Sequence, residues 1–178
     1  ERLLATQGED GGWARYEGAP GHVSLTIEAY FALKLLGKKP DEEPLLRARN
    51  FILQRGGLAQ AGVFTRFFLS YFRQYPDRGI PVVPVQVMLI PNWFPLSIYE
   101  LSSWARGTVV PMAILQALDY RVDLPEGHGV EELWCNDPKD SDLNFPAGNR
   151  IISWERFFYT ADKLLHRLGA LTSWRPLR

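Results

Sequence analysis

The feature that most limits what this chain can become is the run from Ser24 to Leu36, SLTIEAYFALKLL, which is apolar almost all round and carries Glu28 and Lys34 as its only charges. A helix without a polar face has nothing to show to water, so other elements must surround it. Gly37 follows as a C-terminal stop. The run therefore predicts an inner, buried helix. Asp41 is the candidate N-cap of a second helix through Leu45, Phe51, Ile52 and Leu53 to Gly56-Gly57, more polar and hence outer. A third helix is predicted from Val63 to Tyr75. There Phe64, Phe67, Phe68, Tyr71, Phe72 and Tyr75 recur at i, i+3, i+4 spacing and make an aromatic stripe, with Arg66 and Arg73 facing away.

Prolines at 76, 81, 84, 91 and 95 break any long helix in the next stretch and leave room for one short apolar turn from Val85 to Leu89. Ser97 is the candidate cap of a long apolar helix to about Leu118, with Trp104 in its first half and Pro111 expected to kink it. Residues 119–149, rich in Gly, Pro, Asp and Asn, read as loop with one short turn near Val130 to Trp134. A last, strongly amphipathic helix is predicted from Ser153. It places Trp154, Phe157, Phe158, Ala161, Leu164, Leu165 and Leu168 opposite Glu155, Arg156, Asp162, Lys163 and Arg167. No strand-like alternation of any length occurs, so the fold class is all-α. Alternating inner and outer helices suit an α/α barrel, although periodicity alone does not separate it from an irregular bundle.

With 178 residues, 46% of them hydrophobic, the chain suffices for one packed domain or part of one. Twenty basic and twenty acidic residues cancel, so no nucleic acid or other polyanion is expected as a partner. The single Cys135 makes no internal disulfide, and with three histidines no metal-ligand spacing arises. A cytoplasmic protein without metal or cofactor fits this composition. No run of about 18 apolar residues is present, so no segment is expected to span a bilayer, which leaves attachment to a membrane surface open. The opening Glu1-Arg2-Leu3-Leu4 has no initiator Met and no signal-peptide character, and it reads as the middle of a longer chain.

At the N-terminus, Leu3-Leu4 followed by Gln7, Asp10, Gly11, Gly12 and Trp13 resembles the QW repeat of the squalene and oxidosqualene cyclases. Physically, Gln at a helix end can hydrogen-bond backbone groups of a neighbouring element while the Trp ring covers them, and Gly permits the tight turn. Four further segments resemble successive parts of bacterial squalene–hopene cyclases, in the same order: Thr26-Ile27-Glu28-Ala29-Tyr30, Val63-Phe64-Thr65-Arg66, Val87-Met88-Leu89 with Trp93-Phe94-Pro95, and Ile98-Tyr99-Glu100 with Ser103-Trp104-Ala105-Arg106. The likeness is good from Leu3 to about Leu118, faint through the loop, and loose in the last helix.

The resemblance implies an enzyme of two α/α barrels (a toroid of the terpenoid cyclase type) with the substrate cavity between them. Residues 1–178 would be a partial, second barrel, the N-terminal squalene cyclase domain, with the catalytic barrel absent. In the family an Asp-x-Asp-Asp motif protonates squalene. No such motif occurs here, since Asp137, Asp140 and Asp142 have the wrong spacing, so no catalytic residue is assigned and this fragment alone is expected to be inactive.

By the same resemblance Trp104 belongs to the substrate cavity, with Phe64 and Phe68 beside it, where aromatic faces would stabilise carbocations. The alternative for all three is ordinary core packing, and Phe68 stands where relatives often have Trp. Glu28 resembles a family Glu at the polar end of the cavity, where ordered water takes part in terminal deprotonation or hydration. A buried salt bridge is its alternative. Some relatives carry Arg where Gly62 stands, which bears on the ratio of hopene to hopanol. Leu101 and Val109 would line the entry channel.

The last helix, through Trp154, Phe157 and Phe158, would lie in the membrane interface, on the cytoplasmic side of a bacterial membrane, through which squalene enters. A homodimer is compatible with this reading. Three others compete. A glycosidase would use Glu28 and Glu100 as its carboxylate pair, but lacks polar groups for sugar hydroxyls. A prenyltransferase subunit would need a zinc site that is not present. A non-catalytic helical module for lipid binding or interaction needs neither.

Overall fold

The computed structural model describes residues 2–93, 97–141 and 143. Among them the regular structure is helical: α1 (Arg2–Ala5), α2 (Val23–Leu35), α3 (Glu43–Gln54), α4 (Val63–Tyr71) and α5 (Ser103–Ala117), with short 3-10 turns between and after them. No strand occurs among the described residues beyond one isolated bridge, Ala14 to Gly21. The chain divides into two compact units. Glu1–Asp77 with Val122–Leu143 forms the first, and Arg78–Arg121 supplies the described part of the second.

In the first unit α2 is the buried helix its composition demands, with Ile27, Tyr30, Phe31 and Leu33 in the core. It ends in a Schellman motif. The Lys38 amide donates to the Leu33 carbonyl at 3.0 Å and the Gly37 amide to Lys34 at 2.9 Å, satisfying carbonyls that the helix itself leaves open. The chain returns as α3, which packs Leu45, Ala48, Phe51 and Ile52 inward. α3 starts one residue later than expected: Glu42, not Asp41, holds the cap position and Pro44 lies in the first turn. Pro needs no amide partner there and has its φ pre-set.

The third helix is shorter than its aromatic spacing predicts. α4 stops at Tyr71, and Arg73 adopts φ +58°, which turns the chain before Tyr75. The predicted stripe is split: Phe67 and Tyr75 are buried, whereas Phe64 and Phe68 are exposed. Arg66 does not face away. It is 6% exposed, and donates to the carbonyls of Ala61 (2.7 Å), Ala59 (2.8 Å) and Leu143 (2.8 Å) while stacking near the Tyr75 ring. A guanidinium has five donors, so carbonyls at the end of one turn can satisfy a buried charge that periodicity assigns to solvent.

Lys34 is the second buried cation, 4% exposed. Its ammonium donates to Glu132 Oε1 at 2.7 Å and to the Gly129 carbonyl, and Tyr30 donates to the same Glu132 oxygen at 2.7 Å. These bonds fasten the segment 129–133 over the end of α2, and that segment includes the 3-10 turn Glu131–Leu133 predicted in the loop. Burial opposes ionisation of Glu132, but the bonds from Lys34 and Tyr30 outweigh it and hold the carboxyl below its ordinary value. For Tyr30 burial and the bond to Glu132 act together and push the phenol up.

In the second unit the apolar turn Val85–Leu89 forms as predicted. Ser97, however, caps only the 3-10 turn Ile98–Glu100, and the long helix begins after Ser102, whose hydroxyl accepts from the Ala105 amide at 3.2 Å. α5 then continues through Pro111 to Ala117. Gln116 ties α5 to the proline-rich segment in both directions, donating to Pro81 O and accepting from the Val83 amide, each at 2.9 Å. The amphipathic helix predicted from Ser153, with Trp154, Phe157 and Phe158, lies outside the described residues, as does Asp142. Among the described residues no helix is long and apolar enough to cross a membrane, and no cluster of His, Cys, Asp or Glu is arranged to hold a metal ion.

Candidate functional site

Gln7, Gly11 and Trp13 are brought together. The Gln7 amide nitrogen donates to Gly11 O (2.8 Å) and to Pro44 O (2.9 Å), so it joins the turn to the first turn of α3. Gly11 has φ +84°, and a Cβ there would stand 2.7 Å from the Arg47 carbonyl oxygen. Trp13 is buried, with its indole N–H on Leu3 O at 2.8 Å and its main-chain amide on Thr26 Oγ1 at 3.0 Å. Asp10 contributes as well, accepting from the amides of Gly12 (3.0 Å) and Gly21 (2.9 Å). This constellation is a clasp between α1, α2 and α3.

A second constellation runs along α2 and α4, which lie parallel. The Gly62 amide meets Ser24 Oγ at 2.9 Å, Thr65 Oγ1 donates to Glu28 Oε1 at 2.6 Å, and the Phe31 ring meets Phe68 and Phe72 edge to face at 5.9 and 5.2 Å. The contacts advance together along both helices, as rungs do, from polar to aromatic. Such edge-to-face pairs fix ring orientation beyond their area of contact. Glu28 is half-buried and takes a neutral hydroxyl as its partner rather than an arginine, so the salt bridge that was its alternative is not formed among the described residues. Its charge is felt by His22. Burial and Arg15 hold the His22 imidazole below its ordinary value, and Glu28 opposes them.

Phe64 is 54% and Phe68 43% exposed, although Phe68 also meets the core ring of Phe31 edge to face. Trp104 is 70% exposed in the first turn of α5, Leu101 is exposed just before that helix, and Val109 is half-buried within it. Five positions separate Trp104 from Val109, or about 140° around a helix axis, so the two do not share a face. Glu28, Phe64 and Phe68 belong to the first unit; Trp104, Leu101 and Val109 belong to the second. A cleft of about 630 Å³ in the first unit is lined elsewhere, by Arg73, Tyr75, Glu131, Trp134 and Cys135 among others. None of the candidate residues lines it.

The family model for the squalene-hopene cyclase N-terminal domain matches residues 1–178. The chain belongs to the squalene–hopene cyclase family.

A squalene–hopene cyclase of Zymomonas mobilis is 42% identical over 166 residues, 93% of this chain but 25% of the relative. One from Alicyclobacillus acidocaldarius is 44% identical over 135 residues, covering 76% of this chain and 21% of the relative. A dammaradiene synthase of Dryopteris crassirhizoma is 44% identical over 164 residues, 90% of this chain and 24% of that protein. The chain thus spans about a quarter of the length of these curated relatives. Squalene–hopene cyclase membership carries the α/α-toroid fold class, in accord with the all-helical structure of the described residues. It also decides against the glycosidase and prenyltransferase readings, which the separation of Glu28 and Glu100 into different units does not by itself exclude.

Sequence reasoning named the rings and Glu28 but missed Thr65, Lys34 and Arg66 as partners. The signal for Thr65 was present in the spacing. Thr65 and Phe68 sit one turn apart, as Glu28 and Phe31 do, so matching the two runs at an offset of 37 residues pairs them.

Proposed function

We propose that this chain is the N-terminal portion of a squalene–hopene cyclase and that the whole protein cyclises squalene through carbocations to a hopene-type alkene or the corresponding alcohol. The match of the N-terminal domain model over residues 1–178 carries the reading. In it, these residues form most of the second barrel, and the barrel bearing the proton donor comes from the part of the protein that this sequence does not span. The exposed rings of Trp104, Phe64 and Phe68 then become walls of a dry cavity once that part is in place. Each desolvated ring would lower the energy of a nearby cation by about 0.5–2 kcal/mol, roughly 2- to 30-fold in rate. Leu101 and Val109 line the route of entry, and the helix predicted around Trp154, Phe157 and Phe158 reaches the membrane interface from which a lipid substrate arrives.

The test uses the full-length protein with squalene, its products separated by gas chromatography and mass spectrometry. Cyclised triterpene is expected, and Trp104→Ala is expected to cut turnover about tenfold, within the range a single ring supplies. Squalene bound without turnover would replace the enzyme reading with the lipid-binding one.

A further inference from the structure

We infer that the cleft between the end of α4 and the segment 131–138 is a binding site for a quaternary ammonium group, the cation of choline and of its lipid esters. The cleft lies wholly within the first unit, has a volume of about 630 Å³, and includes none of the residues proposed to meet the hydrocarbon. That volume suits a small ligand. One wall is the ring of Trp134, which is half-buried and meets the Tyr75 ring at 5.3 Å between centroids and 37° between planes. Pro76 and Pro138 add apolar surface. Glu131 and Asp137 bring two carboxylates against one cation, Arg73, whose guanidinium already stands 2.8 Å from Asp123. A smaller cleft shares Arg73, Gln74 and Glu131 with the first and adds Asp123 and Glu126, so the field along this surface is negative.

The backbone that carries the ring is fixed by packing. Leu133 is fully buried, and its carbonyl oxygen and the Cys135 amide nitrogen press on Gly57, where a Cβ would stand 2.6 Å and 3.2 Å from them. The chain on either side of Trp134 is thereby held against the turn after α3. Tyr75, behind the indole, is buried with the Arg66 guanidinium 5.5 Å from its ring, and Arg66 does not reach the cleft. Neighbouring carboxylates have separate fates. Glu132 takes Lys34 and Tyr30, whereas the Glu131 carboxylate makes no ion pair or hydrogen bond with any described residue. These walls select one kind of cation. A metal ion needs converging oxygens, and no such cluster occurs among the described residues. A primary ammonium needs acceptors for three N–H groups. A quaternary ammonium has none: its charge spreads over methyl groups that pack on an indole face, while carboxylates nearby attract it without having to touch it.

The experiment titrates the full-length protein with choline and follows saturation transfer to the choline methyl protons by NMR, beside the neutral isostere in which carbon replaces the nitrogen. Choline is expected to bind in the millimolar range, and the isostere several-fold more weakly. Trp134→Leu should weaken choline binding about two- to thirtyfold, the range that one desolvated ring supplies, and Glu131→Lys roughly three- to tenfold. Should Trp134→Leu not fold, Glu131→Lys supplies the comparison, since Glu131 is exposed. Phosphatidylcholine vesicles added as a competitor identify the source of the group. Displacement of choline from the wild type assigns the site to a lipid headgroup, and its absence assigns the site to a free solute. Equal binding of the neutral isostere, choline binding unchanged in the variants, or no choline binding by the wild type overturns the assignment. No readout depends on squalene, so loss of this site leaves the cyclase reading standing, and failure to cyclise squalene leaves the site.

Discussion

At the scale of single residues, stability concentrates at a few positions where backbone and charge are tightly constrained. Gly11 combines φ +84° with a Cβ site 2.7 Å from the Arg47 carbonyl, whereas Gly18 has φ +79° and open space around it. Gly18→Ala should therefore cost about 1 kcal/mol for the left-handed backbone alone, and Gly11→Ala at least about 2 kcal/mol more, because the carbonyl belongs to a packed helix. Denaturant midpoints of the two variants make the comparison, and equal losses would show that the Arg47 contact is not tight. Glu132 makes stability depend on pH. Its folded carboxyl titrates below the ordinary 4.5, so the unfolded chain binds the proton more readily and acid favours unfolding. Its contribution should be whole above that ordinary value and disappear as pH falls through the folded one. Glu132→Gln should flatten this limb in urea titrations taken between roughly pH 3 and 6. The Gln7–Trp13 turn was legible because its residue types name their own bonds. Arg66 and Lys34 were not, because a helical period reports which side faces the core and nothing about whether carbonyls wait there for a charge.

At the scale of elements, apolar content located α2 and the proline spacing located the turn Val85–Leu89, since each rests on local chemistry. Helix starts were less legible. Ser97 and Ser102 are both followed by helical residues, and each accepts from an amide in the turn it opens; the sequence does not say which turn propagates. α4 shows the opposite failure, because aromatic spacing continues past Tyr71 while Arg73 turns the backbone. Pro111 tests how much α5 depends on local propensity. It lies within the helix, where it can donate no bond to the preceding turn. Pro111→Ala should stabilise the protein by about 1–3 kcal/mol, read from thermal unfolding, and a loss instead would mean that the ring's own packing outweighs the missing bond.

At the scale of the whole molecule, the first unit is assembled from segments far apart in sequence. Lys34 finds Glu132, Arg66 finds the Leu143 carbonyl, and Gln74 accepts from the Val130 amide at 2.7 Å. A chain ended after residue 121 would leave Lys34 buried without its carboxylate, at a cost of several kcal/mol. Such a chain should lose cooperative unfolding by circular dichroism, while one ended after residue 143 should keep it. This closure was beyond the sequence's reach, because the stretch that supplies it reads as loop. The ladder between α2 and α4 has a different bearing. Its rungs are spaced by about one helical turn, roughly 5 Å, and pass from Ser24–Gly62 through Glu28–Thr65 to Phe31–Phe68. Sequence position on this pair of helices is thus a scale of depth, graduated from hydrogen bonding to aromatic. A substitution on either helix therefore disturbs hydrogen bonding or ring packing according to how far along the pair it falls.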